Sequence, residues 1–84
     1  MSDVQITVRS LTYGQKGIRL LQKAGITAYL RRAPKKIAEH GCGYSIGLRE
    51  KSVRNAVEVL RNNVIPISGV WRENADGEYE RAEI

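Results

Sequence analysis

Phenylalanine is absent from these 84 residues, and cysteine, histidine, methionine and tryptophan occur once each. Without a second cysteine the chain cannot close an internal disulfide. Zinc sites that need several thiolates are excluded for the same reason, and one histidine cannot fill the gap. Four tyrosines and one tryptophan are the only aromatics, so the core must be aliphatic. No apolar run is long enough for a membrane span, and none reads as a signal-peptide h-region. These absences predict a soluble protein in a reducing cytoplasm, with no membrane, metal or cofactor in its chemistry. Acids are also scarce in the body of the chain: Asp3, Glu39, Glu50 and Glu58 are widely separated. Paired carboxylates for glycosidase-type chemistry are therefore missing.

What is there is basic and unevenly spread. Residues 1–63 carry twelve Lys/Arg against four Asp/Glu, a net +8. Residues 64–84 carry two against five, a net −3. A basic body with an acidic tail suits an acidic partner or nucleic acid, and equally a plain solvated surface. Eighty-four residues make one small domain, too small for a deep cleft with a separate lid. Its stability is small enough that a homodimer is a reasonable expectation.

The hydrophobic pattern predicts β-α-β-β-α-β. Val4-Gln5-Ile6-Thr7-Val8 alternates like a half-buried strand. Thr12 through Gln15 fits a capping box, with Thr12 as N-cap of a helix running to about Ala24. Gly25 suits the position that ends it. Gly14 and Gly17 weaken this helix but allow another backbone or a ligand to approach closely. Ile26 to Arg32 reads as a second strand, with Leu30 on one face and Tyr29 and Arg31 on the other. Pro34 through His40 fits one short helical turn, closed by Gly41. Tyr44 to Leu48 is the third strand. Ser52 caps a helix whose Val53, Val57, Leu60 and Val64 form one stripe. Ile65 to Trp71 reads as a fourth strand, with Pro66 marking an edge or a bulge. Asp76-Gly77 favours a turn, so Glu78 to Arg81 either folds back as a short strand or belongs to a tail. The expectation is an α+β fold: a ferredoxin-like βαββαβ two-layer sandwich with two helices on one face of an antiparallel sheet. One domain spans 1–72, and 73–84 is an acidic tail or short extra strand.

Cys42 is the residue that points most directly at chemistry. It stands between Gly41 and Gly43, after the cations Arg31, Arg32, Lys35, Lys36 and then His40. A nearby cation favours the thiolate, the reactive form of cysteine. A buried structural thiol is the competing reading. His40 lies two residues away and shares a side with Cys42 if the segment is extended. A Cys–His hydrolase also needs an orienting group and an oxyanion hole, and neither is identifiable. Gly14-Gln15-Lys16-Gly17 resembles an anion-friendly helix start but lacks the endings of a phosphate-binding loop. The cations, with Tyr29 and Tyr44 for stacking, leave a basic nucleic-acid or protein binding module as the alternative function. Trp71 is expected to serve as a core or partner-facing anchor.

Ser10-Leu11-Thr12, Gly25-Ile26, Arg32-Ala33-Pro34, Ile37 and above all Cys42-Gly43 resemble the small bacterial selenium/sulfur carrier-like domains over residues 4–70. The chain departs from that pattern in having a single proline before Cys-Gly, Gly41 ahead of the cysteine, and Gln15 and Lys16 where an acid often stands. The resemblance implies a non-enzymatic carrier, similar in role to TusA-like proteins, which hold sulfur as a persulfide on one cysteine. Cys42 would be the carrying thiol, with Pro34, Lys35, Lys36, His40, Gly41 and Gly43 supporting it. A cysteine desulfurase or other sulfur or selenium donor and an acceptor protein would be its partners.

Overall fold

A computed structural model describes residues 4–38 and 43–82 of the chain. The elements are β1 (Val4–Val8), α1 (Leu11–Lys23), β2 (Tyr29–Arg32), β3 (Tyr44–Leu48), α2 (Val53–Asn62), β4 (Gly69–Glu73) and β5 (Tyr79–Arg81). One turn of 3-10 helix, Glu50–Ser52, leads into α2. The five strands form one antiparallel sheet in the order β2-β3-β1-β4-β5. β1 pairs with both β3 and β4, so β1 and β2 run the same way with β3 between them. β3 and β4 are related similarly across β1.

Alternation along the strands decides the layers. Val4, Ile6 and Val8 face the helices and are fully buried. Ile46 lies beside Ile6 in the register, and Val70 lies on its other side. Leu21 of α1 and Val53, Ala56, Val57 and Leu60 of α2 close the same cluster. Both helices therefore cover one face. The two glycines of α1 explain how close they come: a Cβ on Gly17 would stand 3.1 Å from both Ile46 and Leu60, and one on Gly14 would stand 2.6 Å from Leu30.

That observation corrects one expectation. Gly14-Gln15-Lys16-Gly17 does not open a helix. Ser10 is the N-cap; its hydroxyl accepts from the Tyr13 N–H at 3.2 Å, and α1 starts at Leu11. The glycines thus sit inside the helix, facing the sheet and α2 rather than a ligand. The same cap displaces Thr12 from the expected role. Ser52 stands at the start of α2, but in helical conformation and without a capping bond.

Both helices end in the same way. Gly25 N–H donates to the Gln22 carbonyl and Ile26 N–H to that of Leu21. Val64 N–H donates to Arg61 and Ile65 N–H to Leu60. These are two Schellman caps. Gly25 takes the left-handed position at φ 77°, and Val64 takes it at φ 60°. This second cap absorbs Ile65, so β4 begins only at Gly69. Pro66 lies ahead of β4 rather than in it, and β4 is an interior strand between β1 and β5.

The second face of the sheet is closed by its own side chains. Thr7 hydroxyl donates to the Gly69 carbonyl at 3.1 Å and accepts from Trp71 Nε1 at 3.2 Å. Ser45 Oγ donates to Gln5 Oε1 at 2.8 Å. All three of Thr7, Ser45 and Gln5 are buried, so these bonds satisfy groups that water cannot reach. The Tyr29 ring lies over Gly47, where a Cβ would approach its Cζ to 2.6 Å. Gly47→Ala must lift that ring. The ring is half exposed and can swing outward, so the expected cost is only about 1 kcal/mol. A urea midpoint unchanged from wild type would show that the packing on Gly47 is unimportant.

Arg72 forms a two-pronged ion pair with Glu50, its Nε to Oε1 and its Nη2 to Oε2. The hydrogen bond from Arg72 holds the Glu50 carboxyl below its ordinary value, against a small opposing effect of burial. A carboxyl with a lowered folded pKa stabilises the fold at neutral pH. That contribution fades as pH falls from its ordinary value of 4.5 through the folded one. Glu50→Gln is expected to lower stability slightly at pH 7 and by progressively less below about pH 5, so that the acid limb flattens because the difference from wild type closes there. Urea midpoints at the two pH values check it.

Candidate functional site

The thiol-bearing segment is the connection between β2 and β3. Arg32 ends one strand and Tyr44 begins the next, and the ladder continues one pair further: Ala33 N–H donates to the Gly43 carbonyl at 3.1 Å. Pro34 cannot donate and starts a turn instead, its carbonyl accepting from Ile37 N–H at 3.0 Å. Ala38 N–H reaches the Lys35 carbonyl at 3.4 Å. Over residues 34–38 the expected helical segment is thus a single hydrogen-bonded turn.

This turn is tied to the rest of the molecule in two ways. Ile37 is buried, only 3% exposed, yet stands outside the helix-side core cluster. Lys36 Nζ donates to Glu78 Oε1 at 2.8 Å and to the Gly77 carbonyl at 3.5 Å. Glu78 is presented by the β4–β5 turn. Asn74 Oδ1 accepts from the backbone of Asp76 and Glu78 there, and Gly77 adopts φ 79°. Tyr79 senses the same neighbourhood. Burial raises its phenol, Glu73 raises it further, and Arg31 and Lys36 pull the other way. The acidic stretch at the end of the sequence therefore folds back onto the basic body.

The sequence-predicted site residues divide accordingly. Pro34 shapes the turn. Lys36 is committed to Glu78. Lys35 is exposed and pairs with no acid among the described residues. Gly43 is half-buried, and a Cβ on it would meet nothing within 4 Å among the described residues. His40, Gly41 and Cys42 themselves lie outside the described residues, and so does the suggested His40–Cys42 pairing. Among the described residues no three of His, Cys, Asp and Glu gather as metal ligands. No described helix is long and apolar enough to cross a membrane.

Two features carry no local sequence signal. Glu78 and Gly77 contact the basic segment from some forty positions away, a pairing that no local pattern reports. A surface cavity of about 470 Å³ opens at the far end of β3, lined by Tyr29, Arg49, Lys51 and Ser52 among others. Arg49 and Lys51 offer nothing in the sequence beyond their charge. Trp71, expected as an anchor, lies on the second sheet face, half-buried, with the Arg81 guanidinium 5.3 Å from its ring centre.

No curated protein matches this chain, and no solved structure matches it. A family model does, the one described as "Putative Se/S carrier protein-like", over residues 3–72. That match runs from β1 into β4 and includes the whole β2–β3 connection with Cys42-Gly43. It ends before the β4–β5 turn that supplies Glu78. By this match the chain belongs to the Se/S carrier protein-like family.

Proposed function

We propose that the protein is a sulfur or selenium carrier in which Cys42 accepts one chalcogen atom from a donor protein and hands it to an acceptor. The observation that carries this reading is the family match across the connection holding the chain's one thiol. The chemistry asks for little more than that thiol. The Cys42 thiolate attacks the outer sulfur of a donor persulfide. A new S–S bond forms on Cys42, the donor's S–S bond breaks, and the donor leaves as a thiolate. An acceptor thiolate then attacks the terminal sulfur and returns Cys42 to its thiolate form. Neither step needs an outside oxidant or a further catalytic group, so the protein acts as a carrier rather than an enzyme.

The surroundings suit that task. Gly41 and Gly43 leave room for a partner's sulfur. Lys35 and His40 favour an anionic cargo, while Lys36 holds the connection to the β4–β5 turn. A reducing cytoplasm keeps such a thiol available. We also read β1 to β4 with the two helices as a ferredoxin-like core to which β5 is added; the strand order β2-β3-β1-β4 supports this.

The test is incubation with a cysteine desulfurase and cysteine, read by intact mass. The expected result is a gain of one sulfur atom, removed by a thiol reductant, on wild type and none on Cys42→Ala. An unmodified wild type, or the same gain on Cys42→Ala, rejects the carrier reading.

A further inference from the structure

β2 ends the sheet, and its outer side faces no strand among the described residues. The phase of its ladder is fixed by the bond from Ala33 N–H to the Gly43 carbonyl. In an antiparallel pair, hydrogen-bonded and non-hydrogen-bonded residues alternate. Ala33, Arg31 and Tyr29 therefore turn their backbone groups toward β3. Leu30 and Arg32 turn theirs outward, and no hydrogen bond from either reaches another described residue. This is a template for strand addition.

Charge decides what adds. From Thr27 to Ala38 the sequence holds Arg31, Arg32, Lys35 and Lys36 and no acid. Among the described residues only Lys36 of these four forms an ion pair, with Glu78. Arg31 points to the second sheet face and Arg32 to the helix side, 5.9 Å from the Tyr44 ring centre. A second copy pairing here about a two-fold axis centred near Arg31 and Arg32 would set these arginines against their counterparts, and like charges across strands repel. The edge thus disfavours β2–β2 pairing in that register and suits a partner that brings carboxylates to both faces.

We propose that the outer edge of β2 is a docking strand for an extended acidic segment of a partner protein, added antiparallel as a sixth strand. Arg32 borders the Ala33–Gly43 pair, so a bound segment runs past the mouth of the connection that carries Cys42. The proposal goes beyond the carrier reading, and its test does not involve the thiol.

The probe is a capped hexapeptide, VTEETV, titrated to about 5 mM into the 15N-labelled full chain. The expected result is saturable movement of the Leu30 and Arg32 amides, weakened several-fold between about 50 and 300 mM salt. VTKKTV should bind at least about tenfold more weakly, and a chain carrying Arg31→Glu and Arg32→Glu should reverse that preference. VTEETV with its strand-facing amides N-methylated should lose binding, because the backbone bonds are blocked. The proposal is overturned if no amide of β2 moves, if the methylated peptide binds as well, or if the double variant keeps the original preference. Tighter binding of a short oligouridylate to the same amides would also overturn it, in favour of nucleic acid.

Discussion

Ile46→Ala is expected to remove about 3–4 kcal/mol of stability, the cost of truncating a fully buried isoleucine where the surroundings cannot collapse. Ile46 sits at the crossing of the whole core. It is fully buried. Ile6 flanks it on β1 and Leu30 on β2. Gly17 of α1 presses on it from above, and the same glycine touches Leu60 of α2. The β strands on either side are held by ladders, and α1 already lies as close as a glycine permits. None of these neighbours can move inward to fill the space, so the transfer and cavity terms add. An 84-residue domain has roughly 4–13 kcal/mol in total. The variant should therefore lose from about a quarter to nearly all of that stability, with a much lower urea midpoint and an unchanged slope. A loss below about 1 kcal/mol would mean that the core is looser than these contacts imply.

How much of the fold is legible in sequence depends on the range of the interaction. Tyr44 to Leu48 is legible to the residue, because its apolar positions alternate and glycines precede it. Gly25 reads as a helix end for a local reason, its tolerance of a left-handed backbone. Thr12 misleads because Thr12 to Gln15 fits the capping-box pattern, yet Ser10, two residues earlier, also has a hydroxyl that can cap. The choice between them rests on which hydroxyl reaches a free N–H once β1 is in place. The second sheet face is less legible still. Gln5, Thr7 and Ser45 alternate with apolar residues and so read as solvent-facing, while in the fold they are buried and bonded to one another's strands. Asp76-Gly77 announces a turn, and β5 then pairs with β4, but the contact of that turn with Lys36, forty-two positions from Glu78, has no local signal. Of the site, the singular thiol and its glycines are plain in the sequence, and the hold on the turn at Ile37 and Lys36 is not.

The largest backbone effect concerns the two helix ends, which are the same device built with different residues. Leu21 to Ile26 and Leu60 to Ile65 close with identical bonds, and each motif ends in a partly or fully buried isoleucine. Gly25 can adopt φ 77° without strain. Val64 at φ 60° cannot, since its branched Cβ crowds the carbonyl next in the chain. Its side chain recovers nothing by burial, being 83% exposed. Val64→Gly is therefore expected to stabilise the chain by about 1 kcal/mol, the relief of a left-handed valine less the chain entropy of glycine. The melting temperature should rise by about 4–8 °C. Gly25→Val runs the same exchange backwards. Among the described residues a Cβ there meets nothing within 4 Å, so the cost is all backbone, the same balance with its sign reversed, about 1 kcal/mol. The double exchange should leave stability within about 1 kcal/mol of its starting value, because the sites stand at the ends of different helices and share no partner. Urea unfolding of the four chains settles the cycle. A destabilising Val64→Gly would show that Val64 is held by a contact worth more than its strain, and a stabilising Gly25→Val would show that a left-handed valine costs nothing at that end.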